Sequence, residues 1–230
     1  MHITLTGNLG SGKSTLGKVL EADYGYEIYS TGKVIRQIAQ EHGVSVLEMN
    51  KMMEKDPKYD HMIDDTTARI SKEQKEKKLL FDSRLAWNFV EDSFKVFLSV
   101  SLSVAAARVM ADASRGAVEA YSSLEECKES LKERAATEDR RYKELYGIEY
   151  FNYANYNLVL DSSECSPEVL AEILVKEAAA CEEKKAKGEK VGTKLILDKN
   201  RPAEDFAKER AQGKESIQTI CGVEFSVIEL

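Results

Sequence analysis

The amino-acid sequence predicts an α/β fold in which a doubly wound parallel sheet is covered by helices. Three observations lead to this fold class. Short β-rich segments alternate with helical segments up to about residue 180. The first strand, residues 3–6, enters a glycine-rich turn that is followed at once by a helix. Residues 94–100 form a nearly continuous apolar run, which is typical of a parallel strand buried on both faces.

Five strands and the helices between them follow from these patterns. The predicted strands are residues 3–6, 27–29, 79–81, 94–100 and 157–160. The predicted helices are residues 13–24, 32–42, 44 to about 76 with a break at Pro57, 104 to about 142, and 168 to about 180. Gly43 stands where a helix C-terminal cap is expected, and Pro167 stands where a helix begins. We therefore expect a five-stranded parallel sheet flanked by helices in three layers.

The composition changes near residue 182, where a stretch of charged and small residues begins. After it, the sequence predicts a strand at residues 193–197, a helix at 202–211 and two strands within 217–230. We expect a main domain over residues 1–183 and an appended β/α element over residues 184–230, which is too short for a typical independent domain. Pairing with the sheet edge, self-association and regulation of access are all open roles for this element.

The composition also excludes several classes of protein. The 230 residues carry a formal net charge of −7, which disfavours non-specific binding to nucleic-acid phosphates. The sequence has no run of about 18 apolar residues that could span a membrane, and no leader typical of a secretory signal. The four cysteines are scattered without metal-ligand spacing. We expect a cytoplasmic protein, a monomer or weak homo-oligomer, with neither nucleic acid nor membrane as a partner.

Residues 7–14 read Gly-Asn-Leu-Gly-Ser-Gly-Lys-Ser and match the pattern GxxxxGK[ST] throughout. In such a phosphate-binding loop, or P-loop, successive backbone N–H groups surround a phosphate, and glycines let the backbone approach it. The positive end of the following helix adds to the attraction. The position between a strand and a helix supports a P-loop NTPase fold. The predicted nucleotide-binding residues are Gly7, Asn8, Leu9, Gly10, Ser11, Gly12, Lys13, Ser14 and Thr15.

Three side chains around this loop carry the predicted phosphate and metal chemistry. Lys13 is expected to reach the β- and γ-phosphates of the nucleotide, and the hydroxyl of Ser14 is expected to bind Mg²⁺. Asp82 ends the third predicted strand, so it is the candidate Walker B carboxylate and would act on the metal through a water molecule. An aspartate that only caps the loop after the strand is the alternative for Asp82.

The P-loop alone does not separate a kinase from a switch protein or a motor. The sequence has neither an NKxD-type base-reading motif nor a DxxG loop after its second core strand, both of which a GTPase switch would carry. Its arginines occur at strand ends and in a charged helix, which suits a small kinase that gathers two polyanionic substrates. A kinase for another small acceptor and a nucleotide-binding regulatory module are the alternatives.

Further motifs make the chain resemble the cytidylate kinases typified by archaeal enzymes. The matching stretches are residues 7–14, 30–36, 55–60, 82–87, 134–142, 146–148 and 155–161, and they cover roughly residues 1–180. The resemblance implies that the γ-phosphate of ATP is transferred to CMP or dCMP, with Mg²⁺ present. It also implies an insertion that binds the nucleoside monophosphate over about residues 30–76 and a mobile lid over about residues 108–123.

The resemblance places the acceptor between arginines and one carboxylate. Arg36 and Arg84 would hold the acceptor phosphate. Residues 134–141 follow an R-x₃-E-x₂-R pattern whose three charged positions share one helix face, and Glu138 would accept a hydrogen bond from the cytosine amino group. Ordinary ion pairing on a helix surface is the alternative. The implied acceptor-binding residues are Thr31, Gly32, Arg36, Asp82, Arg84, Arg134, Glu138 and Arg141.

The resemblance assigns two more arginines to the lid. Arg108 and Arg115 would close over the transferring phosphoryl group and stabilise its charge once both substrates are bound. Ordinary helix-surface arginines are the alternative for each of them. The implied catalytic residues are Lys13, Arg84, Arg108 and Arg115.

Overall fold

The computed structural model describes residues 1–44, 48, 49, 52, 58–112 and 121–230. The strands in these ranges are β1 (His2–Gly7), β2 (Glu27–Ser30), β3 (Leu79–Asp82), β4 (Ser93–Ser99), β5 (Leu158–Asp161), β6 (Lys194–Asp198), β7 (Lys214–Ile220) and β8 (Val223–Glu229). The helices are α1 (Lys13–Tyr24), α2 (Thr31–Glu41), α3 (Lys58–Glu73), α4 (Ala86–Phe89), α5 (Leu102–Ala111), α6 (Leu124–Tyr146), α7 (Pro167–Ala186) and α8 (Ala207–Gln212).

All the described strands join one sheet in the order β2-β3-β1-β4-β5-β6-β8-β7. The pairs from β2 to β6 are parallel, whereas β8 pairs antiparallel with both β6 and β7. The α/β class is confirmed. The expectation of five strands is wrong, because the sheet has eight strands and the last three come from residues 184–230. They continue the sheet at the edge of β5, whose backbone groups would otherwise lack a partner strand on that side.

Apolar layers cover both faces of the sheet. Along β4, Val96 and Leu98 face one core together with α1 and α7, while Phe97, between them, faces a second core rich in aromatic side chains. This alternation is the two-residue period of a strand. Near β2 and β3 the second face is covered by α2 and α3 instead. The sheet is therefore the middle of three layers. The carboxyl ends of its parallel strands lie together along one edge of the sheet.

The C-terminal strands share both of these cores. In β6, Ile196 packs in the core of α1 and α7, and its neighbours Leu195 and Leu197 pack in the aromatic core. All three side chains are fully buried. β6 and β8 therefore extend the hydrophobic core of the sheet, whereas β7 at the sheet edge is mostly exposed.

The connections in the C-terminal segment have identifiable local causes. Cys221 and Gly222 both have positive φ, at 51° and 79°, as a two-residue hairpin turn of type I′ between β7 and β8 requires. The helix predicted from residue 202 begins only at Ala207. Phe206, just before it, adopts a left-handed φ of 61° that a continuous helix does not permit.

The long helix predicted for residues 104–142 is two helices, α5 and α6. Each begins after a serine whose side chain accepts a hydrogen bond from the backbone N–H three residues on: Ser101 from Val104 and Ser123 from Glu126. Such N-cap serines start helices and favour two separate starts here. Every described helix is either too short or too polar to cross a membrane.

Candidate active site

The P-loop connects β1 to α1, and two of its glycines are required by close backbone contacts. Gly7 has a φ of 147°, and a Cβ there would overlap the carbonyl oxygen of Leu98 in β4. Gly10 has a φ of 75°, and a Cβ there would lie 2.8 Å from the carbonyl oxygen of Ala105 in α5. Only glycine satisfies both the conformation and the space at these positions. The loop is therefore held tightly between β4 and α5.

The side chain of Lys13 lies against the backbone of this loop. Its Nζ donates hydrogen bonds to the carbonyl oxygens of Gly7 (3.3 Å) and Asn8 (3.2 Å). Beside it is a cavity of about 380 Å³ lined by residues 9–15 together with Arg108, Val109 and Asp112. Ser14 and Thr15 are exposed at this cavity, next to the positive N-terminal end of α1. The structure thus brings seven of the nine predicted nucleotide-binding residues, 9–15, around one opening, while Gly7 and Asn8 line a separate cavity.

Asp82 lies at the end of β3, paired in register with Leu5 of β1. Burial raises the pKa of the Asp82 carboxyl, and the positive charges of Lys13 and Arg84 partly offset this effect. Lys13 of the phosphate-binding loop and Arg84 are thus the basic groups whose charges act on this carboxylate. A serine hydroxyl and a carboxylate are hard oxygen ligands of the kind that Mg²⁺ prefers. The chemistry of Ser14 and Asp82 therefore suits a magnesium ion, and its binding by these two residues stays a prediction.

Arg84 connects the P-loop to α6. Its Nη1 donates a 2.7 Å hydrogen bond to the carbonyl oxygen of Gly7, and its Nη2 lies 3.5 Å from Oε1 of Glu138. Both side chains are about three-quarters buried. Such a pair is screened less by salt than a fully exposed ion pair. Arg134 lies 4.0 Å from the same carboxylate but is much more exposed.

A smaller cavity of about 170 Å³ lies on the other side of Arg84. Its lining includes Thr31 at the start of α2, Arg84, and Arg141 of α6. Tyr146 also lines it, and its hydroxyl donates a 2.9 Å hydrogen bond to Asp64 of α3. The structure therefore brings two of the arginines expected at the acceptor, together with three residues from the predicted insertion (Thr31, Ile63 and Asp64), to a single opening.

Arg36, the other arginine expected to hold the acceptor phosphate, lies on the surface. It is exposed on α2, with its guanidinium folded back toward Gly32, where a Cβ would lie 3.7 Å from Nη1. Neither Arg36 nor Gly32 is among the lining residues of this smaller cavity. Residues 45–47, 50, 51 and 53–57 of the predicted insertion lie outside the described residues.

Arg108 lies in α5 against the P-loop. It donates to the carbonyl oxygens of Ser162 (2.7 Å) and Ser163 (3.3 Å) in the β5–α7 loop, and it lies 3.5 Å from the carbonyl oxygen of Gly10. Its guanidinium lines the cavity at residues 9–15 and is held there by these carbonyl groups. Arg115 and the predicted lid residues 113–120 lie outside the described residues.

Several residues at the site were not expected from the sequence. The hydroxyl of Tyr150 is fully buried beneath the P-loop, 2.5 Å from Oγ1 of Thr6, and accepts a 3.3 Å hydrogen bond from the backbone N–H of Gly7. Arg201 and Asp205 line a further cavity of about 270 Å³ beside Asn8, Leu9 and Glu138. No local motif marks these residues, because contacts between distant parts of the chain bring them to the P-loop.

Comparison with known sequences identifies relatives over most of the chain. The model of the cytidylate kinase-like family matches residues 2–164. The cytidylate kinase of Methanococcoides burtonii is 32% identical over 176 residues, which are 76% of this chain and 95% of that protein. That of Natronomonas pharaonis is 34% identical over 170 residues (73% and 84%), and that of Archaeoglobus fulgidus is 31% identical over 188 residues (81% and 98%).

Comparison with solved structures supports the same fold. An uncharacterized protein from Eubacterium ventriosum has a TM-score of 0.59 at 13% identity, covering 78% of this chain and 99% of that one. A shikimate kinase from Bacteroides thetaiotaomicron has a TM-score of 0.51 at 16% identity, covering 80% and 98%. At these identities the likeness concerns the fold alone. The sequence relatives carry the family assignment: the chain belongs to the cytidylate kinase-like family, and with it to the ATP-dependent nucleoside monophosphate kinases.

Proposed function

We propose that this protein transfers the γ-phosphate of ATP to CMP or dCMP, forming ADP and CDP or dCDP. The observation that supports this most is the position of Arg84. Its guanidinium contacts the P-loop at Gly7, pairs with Glu138 and lines the acceptor cavity. A single positive charge thus lies between the donor loop, the proposed base-reading carboxylate and the proposed acceptor phosphate.

The donor side would work by charge stabilisation. The backbone of residues 7–14 and the N-terminus of α1 bind the phosphates of ATP, and Lys13 moves from its carbonyl partners onto the β- and γ-phosphates. Mg²⁺, when bound, neutralises charge on these phosphates, and Ser14 and Asp82 would hold it. Arg108, fixed by the Ser162 carbonyl, adds positive charge beside the same cavity.

The acceptor side needs no general base. A phosphate monoester is already ionised near neutral pH, so its oxygen can attack once it is in line with the γ-phosphate. Arg84 and Arg141 would neutralise the repulsion between the two anionic substrates, with Arg36 as a further ligand at the start of α2. Positioning and charge together account for the rate enhancement that such a kinase requires.

Glu138 would read the base. An ionised carboxylate has two oxygens with about four acceptor positions, so it can keep Arg84 and still accept from the exocyclic amino group of cytosine. Uracil presents a carbonyl oxygen at that position and would face the carboxylate with repulsion. This difference supports cytosine as the base, while the ribose or deoxyribose choice is left to the assay.

A panel of acceptors tests the proposal. ATP and Mg²⁺ are supplied with CMP, dCMP, UMP, AMP or shikimate, and ADP formation is followed by a coupled assay. The expected result is turnover with CMP or dCMP at a kcat/KM well above that with UMP or AMP. Rates with CMP and dCMP no higher than with AMP would refute the cytidine assignment. Turnover of another acceptor alone would make this a kinase for a different substrate, and tight ATP binding without any transfer would indicate a regulatory module.

A further inference from the structure

Arg201 reaches the nucleotide site from a part of the chain beyond the family match, which ends at residue 164. It follows β6 and extends across the ends of β5 and β4. Its side chain is only 8% exposed. Nε pairs with Oδ2 of Asp205 at 2.6 Å, Nη1 with Oδ2 of Asp161 at 3.0 Å, and Nη2 with the carbonyl oxygen of Val100 at 3.2 Å. All three guanidinium nitrogens therefore have partners.

Asp161 is the buried carboxylate that pairs with Arg201. It is the last residue of β5, and its side chain has no exposed surface. Oδ1 accepts from the backbone N–H of Ser163 at 3.0 Å and from its hydroxyl at 2.6 Å. A buried carboxylate needs an opposite charge as well as hydrogen bonds, and Arg201 supplies it. The ion pair and the Asp161–Ser163 turn thus depend on one another.

One partner of Arg201, Val100, also binds the P-loop, and so does Ser162, which lies between two other partners of Arg201. The backbone N–H of Val100 donates to Oδ1 of Asn8 at 3.3 Å. Ser162, between Asp161 and Ser163, donates from its hydroxyl to the carbonyl oxygen of Ser11 at 2.8 Å, and its own carbonyl accepts from Arg108. Two short routes therefore lead from Arg201 to the loop that binds the phosphates of ATP.

Phe206, also in the C-terminal segment, contacts the guanidinium of Arg201. The ring of Phe206 lies 5.4 Å from the guanidinium carbon and packs against Tyr153 with ring centroids 5.0 Å apart. Phe206 reaches this position with its left-handed backbone. A cation over an aromatic face is held in place, so the guanidinium is fixed in a single orientation toward the strand ends.

We propose that Arg201 is a positioning residue of the ATP site, and that residues 184–230 complete this site by supplying it. It fixes the ends of β4 and β5, and through Val100 and the Ser162–Ser163 turn it holds the P-loop and Arg108 in the geometry that binds ATP. The inference rests on ATP being the phosphate donor and does not depend on which monophosphate is the acceptor.

The test compares R201Q, R201K and the charge-matched double variant D161N/R201Q with the unaltered full-length protein. Lys199→Ala is the matched control, because Lys199 is two residues away and pairs with Glu224 on the exposed surface. Equilibrium binding of a fluorescent ATP analogue is measured with the KM for ATP, the KM for the best acceptor and the thermal midpoint. The direct binding measurement keeps the test valid if CMP is not the acceptor.

The expected result is that R201Q weakens ATP-analogue binding and raises the KM for ATP by about tenfold or more, as misplaced binding groups do, while the acceptor KM changes less than about twofold. R201K should recover part of the affinity by restoring the charge. D161N/R201Q should regain the thermal stability that R201Q loses, but it should not regain the affinity for the ATP analogue. ATP binding within about twofold of the unaltered protein in folded R201Q would overturn the inference, as would equal losses for ATP and acceptor. If R201Q does not fold, the same comparison on R201K decides.

Discussion

Arg84 donates a 2.7 Å hydrogen bond to the carbonyl oxygen of Gly7, and so ties the end of β3 to the first residue of the P-loop. The same guanidinium pairs with Glu138 on α6. Three elements that approach the site from different directions, β1, β3 and α6, therefore meet on one side chain. This relationship is the basis for the predictions on the acceptor side.

Replacing Arg84 with alanine is expected to affect both catalysis and acceptor binding. The variant loses a charge next to the transferring phosphate, so kcat should fall by about a hundredfold, and the KM for the monophosphate should rise. Steady-state kinetics with each substrate varied in turn would measure both. Arg69→Ala is the control, because Arg69 is an exposed arginine paired with Glu41 on the surface. An Arg84→Ala enzyme with the kinetics of that control would show that Arg84 is structural.

Lys13→Ala is expected to lower kcat by about a hundred- to a thousandfold, because it removes positive charge that stabilises the transition state. Lys18, exposed on the same helix α1, provides the control as Lys18→Ala. Single-turnover measurements at saturating ATP separate the chemical step from product release. A kcat within about threefold of the control would contradict the role given to Lys13.

Glu138→Gln should change which base is preferred more than it changes the use of ATP. A glutamine amide can donate to the carbonyl oxygen of uracil, so the ratio of kcat/KM for CMP to that for UMP should fall by about tenfold or more, since a hydrogen bond to a charged group contributes about 1.5–3 kcal/mol. Glu133→Gln on the exposed side of α6 is the control. An unaltered ratio in Glu138→Gln would remove Glu138 from base recognition.

Asp82→Asn is expected to raise the thermal stability of the protein and to impair its activity. Burial raises the pKa of Asp82 in the folded state, so the folded protein binds more protons than the unfolded chain between the two pKa values. Stability therefore falls as pH rises through that window. Asparagine does not titrate, so the variant should have a higher thermal midpoint than the unaltered protein at pH 7. The difference between the two midpoints should shrink toward pH 3.

The same variant should need more Mg²⁺ for half-maximal activity, because it loses a carboxylate at the phosphates. Asp23→Asn, exposed on α1, is the control for both measurements. A lower midpoint than the unaltered protein at pH 7, or an unchanged Mg²⁺ requirement, would contradict the account of Asp82.

The sequence allows the fold class and the P-loop to be predicted because both depend on local patterns. Alternating strands and helices produced the α/β class, and the eight-residue motif marks the loop between β1 and α1. Residues 193–197 and 217–230 were also recognised as strands. Their place in the sheet could not be predicted, because the pattern of a strand shows that it is buried and not which edge it joins.

The rest of the site depends on long-range contacts. Tyr150 is 143 residues from Gly7, and Arg201 is 101 residues from Val100. Nothing in their own neighbourhoods distinguishes them from other tyrosines and arginines, since their roles come from the strand ends that the sheet topology brings beside them. Arg84 and Glu138 were expected at the acceptor from the resemblance, but the hydrogen bond from Arg84 to the P-loop carbonyl became visible only in the structure.

The most direct test of the central claim follows the phosphate itself. ATP labelled with ³²P at the γ-position is incubated with the full-length protein, Mg²⁺ and CMP, and the products are separated by chromatography. The account predicts label in CDP that depends on CMP and forms at least about a hundredfold more slowly with Lys13→Ala. Label released only as inorganic phosphate, or label that stays in ATP while a different acceptor is phosphorylated in parallel reactions, would contradict it.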